Sequence, residues 1–480
     1  MNIKDKFVAF NSNEIIDNEK NNQRDTQDNL YGDNFVKEEV VNQKNTKQKN
    51  VSQKKTRFED FSSDKSFDSV YREESFGDGV YLDYSATTPC DPSVVDVMSQ
   101  SYKIFANPHS ITHMYGWNAT DLVESSRAKF ASIIGAESKE IVFTSGATEA
   151  NNLALKGVIS NRRRNGLENP HIITTNIEHK ATLETCHTLE KQGVEVTYLE
   201  VEKKTGLLDI EKLKKSIKSN TVIISISWVN SEIGVIQPIE EIGNICEEKN
   251  IYFHIDAAQA LGRIDVDVKK CKATMVSFSA HKFYGPKGIG ALYIKKRTRV
   301  DSIIDGGKQE RGVRSGTISP QLCLGLAKAA EFSTKDLESE NIRMKEMQDY
   351  LLSNLNNSIS DIFINGDMNS RIPHNVNISF ACVEGESLMM KMEKYAMSSA
   401  SACSSQTLQP SYVLSAIGVD EDLIHTSLRM VMGRYTTMED MKNFTNDLIE
   451  SVNFLRNISP LWDMKKKGID LKTVEWHDHH

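Results

Sequence analysis

The chain has 480 residues, 39% of them hydrophobic, and is long enough to organise more than one core. A net charge of −8 gives no electrostatic basis for nucleic acid as the main partner, and no apolar run is long enough to span a bilayer. Seven cysteines fall without Cys-x-x-Cys spacing, which argues against a zinc site or a disulfide framework and for a reducing compartment.

Residues 1–78 are rich in Asn, Gln, Lys, Asp and Glu, with isolated aromatics and no sustained apolar period. Such a stretch cannot bury enough surface to order itself, so a disordered extension, dispensable for catalysis, is expected. A globular pattern begins at Val80-Tyr81-Leu82-Asp83-Tyr84. From 140 to 300, short β-branched runs (EIVFTSG, HIITTN, VEVTYLEV, VIISISWVN, IYFHIDAAQ, ATMVSFSAH, IGALYIK) alternate with helical stretches. That alternation predicts an α/β fold with a mainly parallel sheet covered on both sides. After about 335 come a long charged helix candidate (KDLESENIRMKEMQDYLLSNL), a strand candidate (NVNISFA) and further helices, the pattern of a smaller α+β unit. The expected layout is a large domain at 92–335 and a small domain combining 79–91 with 336–480.

Three segments carry chemistry. In Ser279-Ala280-His281-Lys282-Phe283-Tyr284-Gly285-Pro286, a lysine follows an apolar strand candidate. There an amine is costly unless paired or used covalently, and it can form a Schiff base with an aldehyde. Taken alone, a solvent-reaching lysine before a Gly/Pro turn is the plainer reading. Upstream, IYFHIDAAQ ends on Asp256 among apolar residues. A protonated pyridine nitrogen would supply its missing counter-charge, and a helix cap is the local alternative. Gln259, three residues on, could reach a ring hydroxyl. In EIVFTSGATEANN, the residues Gly146, Ala147 and Thr148 stand where a helix begins. Free amides there make a phosphate cup, with an ordinary capping box as the alternative. Phosphate cup, ring acid and Schiff-base lysine, in that order, are what a fold-type-I pyridoxal phosphate (PLP) site requires. Cys403 lies in SSASACSSQTLQPS, small polar residues with no large apolar anchor before Leu408, and a mobile exposed loop is expected.

The stretches YLDYSATTP, FTSGATEANNLALKG, IEHKAT, SEIGVIQPI, HIDAAQ, SFSAHKFYGPKGIGALY, ERGVRSGT, EGESL, SSASACSSQTLQPSYVL and SPLWDMKKKGIDLKTVEW resemble the cysteine desulfurases of the IscS type, over essentially everything from Tyr81 to His480. The resemblance implies a homodimeric PLP enzyme of fold type I. It would convert L-cysteine to L-alanine, leave the sulfur on Cys403 as a persulfide, and supply iron–sulfur cluster assembly, with tRNA thiolation as a further outlet. It also implies a role for each matching position. Lys282 would hold PLP and move protons at the substrate α-carbon, and His179 would stack on the ring and assist acid–base steps. Asp256 and Gln259 would contact the ring; Ala147, Thr148, Ser279 and His281 would hold the phosphate, with Thr317 reaching in from a second subunit. Arg429 would clamp the substrate carboxylate as a bidentate fork.

The chain departs from the family pattern at Ser231, where a second asparagine near the ring hydroxyl is usual, and at Lys308, where a third glycine is usual. The segment ahead of Lys308 also looks slightly short. Implied partners are an IscU-type scaffold docking at the C-terminal stretch around Lys465-Lys466-Lys467, a frataxin-like protein and small accessory subunits. No metal role is assigned to the closing His-Asp-His-His. The resemblance places the protein in a mitochondrion or mitosome, with cytoplasm as the alternative, although Asp5, Glu14, Asp17 and Glu19 are atypical of a presequence. Selenocysteine lyase or aminotransferase activity, and a non-catalytic scaffold-docking protein, are the rival readings.

Overall fold

The computed structural model describes residues 56–63, 78–399 and 410–469. Its main sheet has seven strands in the order Ile141–Thr144, Gly290–Ile294, Met275–Ser279, Tyr252–Asp256, Thr221–Ser227, His171–Thr175, Glu195–Leu199. These are the seven runs picked out from the sequence. Most are buried along their whole length, with their serines, threonines and histidines buried alongside the apolar residues, as expected of a sheet covered on both faces. The helices Pro92–Ser101, Met114–Ile133, Ile239–Lys249 and Pro320–Lys335 pack one face, and Ala147–Arg164 with Lys180–Glu190 packs the other.

The strands from Met275–Ser279 across to Glu195–Leu199 pair in parallel. Gly290–Ile294 is antiparallel to both its neighbours. A parallel return needs a connection of about a dozen residues or more; the 280–289 segment is too short for one and turns the chain straight back. In-register pairing sets Ser227 opposite Asp256 and Asp256 opposite Ser277. The functional side chains gather at this carboxyl edge, where an open parallel sheet leaves its crevice.

A second, antiparallel sheet has the order Ser398–Ser399, Ser427–Val431, Asn375–Phe380, Ile362–Ile364. It has its own core, in which Met344, Met347 and Leu351 of helix Leu337–Ser358 and Phe444 and Leu448 of helix Met438–Asn457 cover Phe380 and Met430. Residues 80–88 tie this sheet to the main one. Val80–Tyr81 pairs with Tyr395–Ala396, Leu82 and Tyr84 bond to the Val431 backbone, and the Thr88 N–H donates to the His281 carbonyl. Among the described residues, no helix is long and apolar enough to cross a membrane.

Residues 56–63 correct part of the expectation for the extension. The turn Phe58–Asp60 lies on the main body, with Phe58 and Phe61 buried in the core beneath helices Met114–Ile133 and Pro320–Lys335. The Phe58 N–H donates to Ser125 Oγ at 2.9 Å, and the ammonium groups of Lys129 and Lys328 each stand 5.7 Å from the Phe58 ring centre. Glu331 pairs with both lysines, at 2.6 and 2.8 Å. The segment orders by borrowing burial from the body, which a search for its own apolar period does not detect. The rest of residues 1–77 lies outside the described residues. Burying a phenylalanine contributes about 2–3 kcal/mol, and ordering the strap offsets much of that gain. A chain beginning at Thr56 is therefore expected to keep the full-length melting temperature, while one beginning at Asp64, or the Phe58→Ala/Phe61→Ala double variant, melts a few degrees lower. Equal melting temperatures in a thermal scan would show that the strap adds nothing.

Candidate active site

The strand edge opens into a cavity of about 750 Å³. On one wall, strand Ile141–Thr144 turns through Ser145 and Gly146 into helix Ala147–Arg164. By helix geometry, the amides of Ala147 and Thr148 are left pointing out of the first turn. The capping-box alternative does not form, because the N-cap is Gly146 and has no side chain to bond; the Glu149 carboxylate instead accepts the N–H of the preceding Ser145 at 2.8 Å. Gly290 of the adjoining strand lies so close that a Cβ on it would stand 2.6 Å from the Gly146 Cα. Arg314 reaches Glu149 at 2.8 Å and ties the 305–317 loop to the same helix start. That loop is itself held by the buried Glu310, which takes a two-pronged bond from Arg127 and the Phe143 N–H.

Asp256 ends its strand buried at the cavity floor. Its Oδ2 accepts from Asn151 Nδ2 at 2.7 Å and its Oδ1 from the Ala258 N–H at 3.0 Å. The residues after it form a turn, so the helix-cap alternative does not apply. Gln259 lines the cavity with its amide already engaged, donating to the Ser85 carbonyl at 2.8 Å and accepting from Arg263. Ser279 ends the next strand, and the turn Ala280–Lys282 follows it. His281 Nδ1 bonds Thr87 Oγ1 at 3.0 Å; burial, then the charges of Lys282 and Lys287, push its pKa down to about 4 and leave it neutral. The Lys282 ammonium donates to the Ser85 and Ala86 carbonyls, both at 2.7 Å. Burial, helped by Arg263 and Arg429 and opposed by Asp256 and Asp83, lowers its pKa to about 8, so much of it is neutral amine near pH 8.

The opposite wall carries His179, open to the cavity at the N-cap of helix Lys180–Glu190. Its Nδ1 accepts the Ala181 N–H at 3.1 Å, which puts the proton of the neutral ring on Nε2. Burial lowers its pKa against the pull of Asp256. Beside it, the buried Glu178 accepts from the Ser227 N–H at 2.8 Å, from the Ser227 hydroxyl and from Thr175 Oγ1 at 2.6 Å; burial raises its pKa to about 7. It fastens the His179 turn to a strand end.

Asn230 is structural, with its Oδ1 capping the Glu232 and Ile233 amides at 2.9 and 3.1 Å, while Ser231 lines the cavity. Arg429, on strand Ser427–Val431, closes the cavity from the second sheet. Thr317 is exposed and does not line this chain's cavity.

Cys403 lies outside the described residues, as does the rest of the segment 400–409, so the expected mobile loop is not among them. Both ends of that segment reach the site. Ser398 before it and Tyr412 after it line the cavity, Ser411 Oγ donates to Glu232, and the Tyr412 hydroxyl donates to the Glu178 carbonyl at 2.7 Å. Of the other cysteines, Cys186, Cys246, Cys271 and Cys323 are buried, and Cys90 and Cys382 are half-buried. Burial raises the pKa of each, the mark of packing thiols rather than reactive ones. Asp83, Asn151 and Glu178 were missed as site residues. Asn151 and Glu178 do stand beside recognised motif positions, and that adjacency was the available signal.

Residues 80–444 match the class-V aminotransferase family. A cysteine desulfurase IscS of Ehrlichia chaffeensis is 48% identical over 403 residues, which cover 83% of this chain and 97% of that protein. The mitochondrial cysteine desulfurase of Arabidopsis thaliana is 49% identical over 406 residues, 84% of this chain and 89% of that protein. The chain belongs to the IscS-type cysteine desulfurases. In structure, a NifS-like protein superposes with a TM-score of 0.73 at 34% identity, covering 78% of this chain and all of the other. Cysteine desulfurases are PLP enzymes of fold type I, and this cavity fits that group. Among the described residues, a buried carboxylate lines it with no salt-bridged cation, a lysine of lowered pKa is bonded to backbone carbonyls alone, and a helix start offers free amides.

Proposed function

We propose that the chain takes sulfur from L-cysteine onto Cys403, releases L-alanine, and passes the sulfur on for iron–sulfur cluster assembly. The observation that carries this reading is the meeting of Lys282, Asp256 and Arg429 in one cavity flanked by both ends of the Cys403 segment.

When bound, pyridoxal phosphate supplies an electron sink for negative charge at the substrate α-carbon. Lys282 would hold it covalently and would carry a proton to and from that carbon, a task suited to an amine of lowered pKa. Asp256, aimed by Asn151, would pair with the protonated ring nitrogen, and Gln259 and Ser231, which line the same cavity, would be available to the ring hydroxyl. The Ala147 and Thr148 amides, Ser279 and neutral His281 would hold the phosphate, with Thr317 of a second copy completing the set in a homodimer. His179 would cover the ring, with its Nε2 proton available to the substrate. Arg429 binds the substrate carboxylate. The Cys403 thiolate attacks the substrate sulfur, its new S–S bond forming as the substrate C–S bond breaks, and the electron pair of that bond returns to the substrate carbon framework.

The residues fall into a large domain at 92–335 and a small one from 79–91 and 336–480, a division supported by their separate cores. An IscU-type scaffold, with frataxin-like and accessory subunits, receives the sulfur near the C-terminal helices, where Phe454 and Ile458 are exposed. The bacterial and plant mitochondrial relatives support a mitochondrion or mitosome as the compartment.

The purified chain, given L-cysteine and a thiol reductant, is expected to release alanine and sulfide in equal amounts. A chain that showed the cofactor's visible absorbance yet formed no alanine would instead be a scaffold-docking protein.

A further inference from the structure

Arg429 does not offer the two-pronged fork expected of it. Its NH2 nitrogen has two protons, and both are spent, one on Asp83 Oδ1 at 2.6 Å and one on Ser398 Oγ at 2.8 Å. Among the described residues its Nε is fully buried without a partner, and NH1 makes one long donation to the Ser231 carbonyl at 3.5 Å, leaving its second proton. Both fork geometries of a guanidinium use NH2. What faces the cavity as an available donor is therefore NH1.

We infer that Asp83 is a positioning residue, which fixes the plane of Arg429 so that NH1 is presented to the carboxylate of an amino-acid substrate. The inference deepens the reading above and rests on it. Asp83 is well placed for this work, because its backbone is clamped to the strand that carries the arginine. Asp83 bridges to Val431, the Val431 N–H donates to the Leu82 carbonyl at 2.7 Å, and the Tyr84 N–H donates to the Val431 carbonyl at 3.3 Å. The Asp83 and Arg429 side chains are only 18% and 9% exposed, so solvent screens the pair weakly.

Two effects oppose each other when Asp83 is removed. The bare arginine carries more uncompensated positive charge, which favours an anionic ligand, but it also loses its anchor. The buried Glu232 lies within electrostatic reach of Arg429 and has Ser411 as its side-chain partner. A freed guanidinium has that carboxylate to turn to, away from the position where it serves the substrate. Orientation therefore outweighs charge, because the charge helps only if it stays in place.

The test compares Asp83→Ala with Asp83→Asn, which keeps an acceptor for NH2 and drops the charge. Asp83→Ala is expected to raise the KM for L-cysteine at least about tenfold, with kcat within about threefold and the cofactor's visible absorbance unchanged. Asp83→Asn should stay within about threefold of the unaltered protein on both constants. As a readout independent of turnover, the rise in melting temperature caused by L-alanine should vanish in Asp83→Ala and persist in Asp83→Asn. An unchanged or lowered KM in Asp83→Ala would overturn the inference. So would equal effects in the two variants, or a joint fall of kcat and cofactor content, which is what a merely structural pair would give. If the unaltered protein forms no alanine from L-cysteine, the functional reading fails first, and the L-alanine melting shifts still decide the role of Asp83.

Discussion

Lys282→Ala is expected to lose alanine formation and the cofactor's visible absorbance together, with turnover reduced by more than about a thousandfold. The size follows from two losses at one atom, the covalent hold and the proton transfer at the α-carbon, of which acid–base catalysis alone contributes about 10²–10⁴-fold. Among the basic groups of the cavity, Lys282 is the amine whose pKa falls, to about 8, and the mobile proton belongs with it. Lys282→Arg should fail equally, because a guanidinium stays protonated and cannot act as the nucleophile. Mass spectrometry after borohydride reduction checks the result. A cofactor-sized mass increment remaining on the Ala variant would place the covalent anchor elsewhere.

Cys403→Ser separates the two halves of the reaction. The variant should bind cofactor normally and still show a spectral change on adding L-cysteine, while sulfur delivery falls by more than about a hundredfold. A serine hydroxyl is almost wholly protonated near neutral pH, whereas a free thiol is partly thiolate there. No described cysteine is placed to substitute, because burial raises the pKa of all six. Alkylation and intact-mass measurement after one turnover would report the persulfide. An undiminished yield of it on another cysteine would reassign the acceptor.

The main sheet was legible because most of its strands are buried on both faces and are rich in β-branched residues, short runs that alternate with helical stretches. Lys282 and Asp256 were legible for a related reason, since a charged residue at the end of such a run has no cheap structural explanation. Contacts between distant parts of the chain were not. Asp83 and Arg429 are 346 positions apart, Asn151 and Asp256 are 105 apart, and nothing in either local sequence announces the partner. The partners of Arg429 were hidden for the same reason, because its NH2 group bonds residues on two other segments. The strap at 56–63 escaped notice because two aromatics three residues apart form no period of their own.

The two anchored ends of the 400–409 segment also set a length scale for delivery. Cys403 is four residues from Ser399, which is held in the second sheet. At about 3.5 Å per fully extended residue, its Cα can travel no farther than ~14 Å from that fixed point. An acceptor cysteine must therefore be carried to the rim of the cavity by its own protein. Partners that dock farther away than this tether reaches can bind the chain, but they cannot take its sulfur directly.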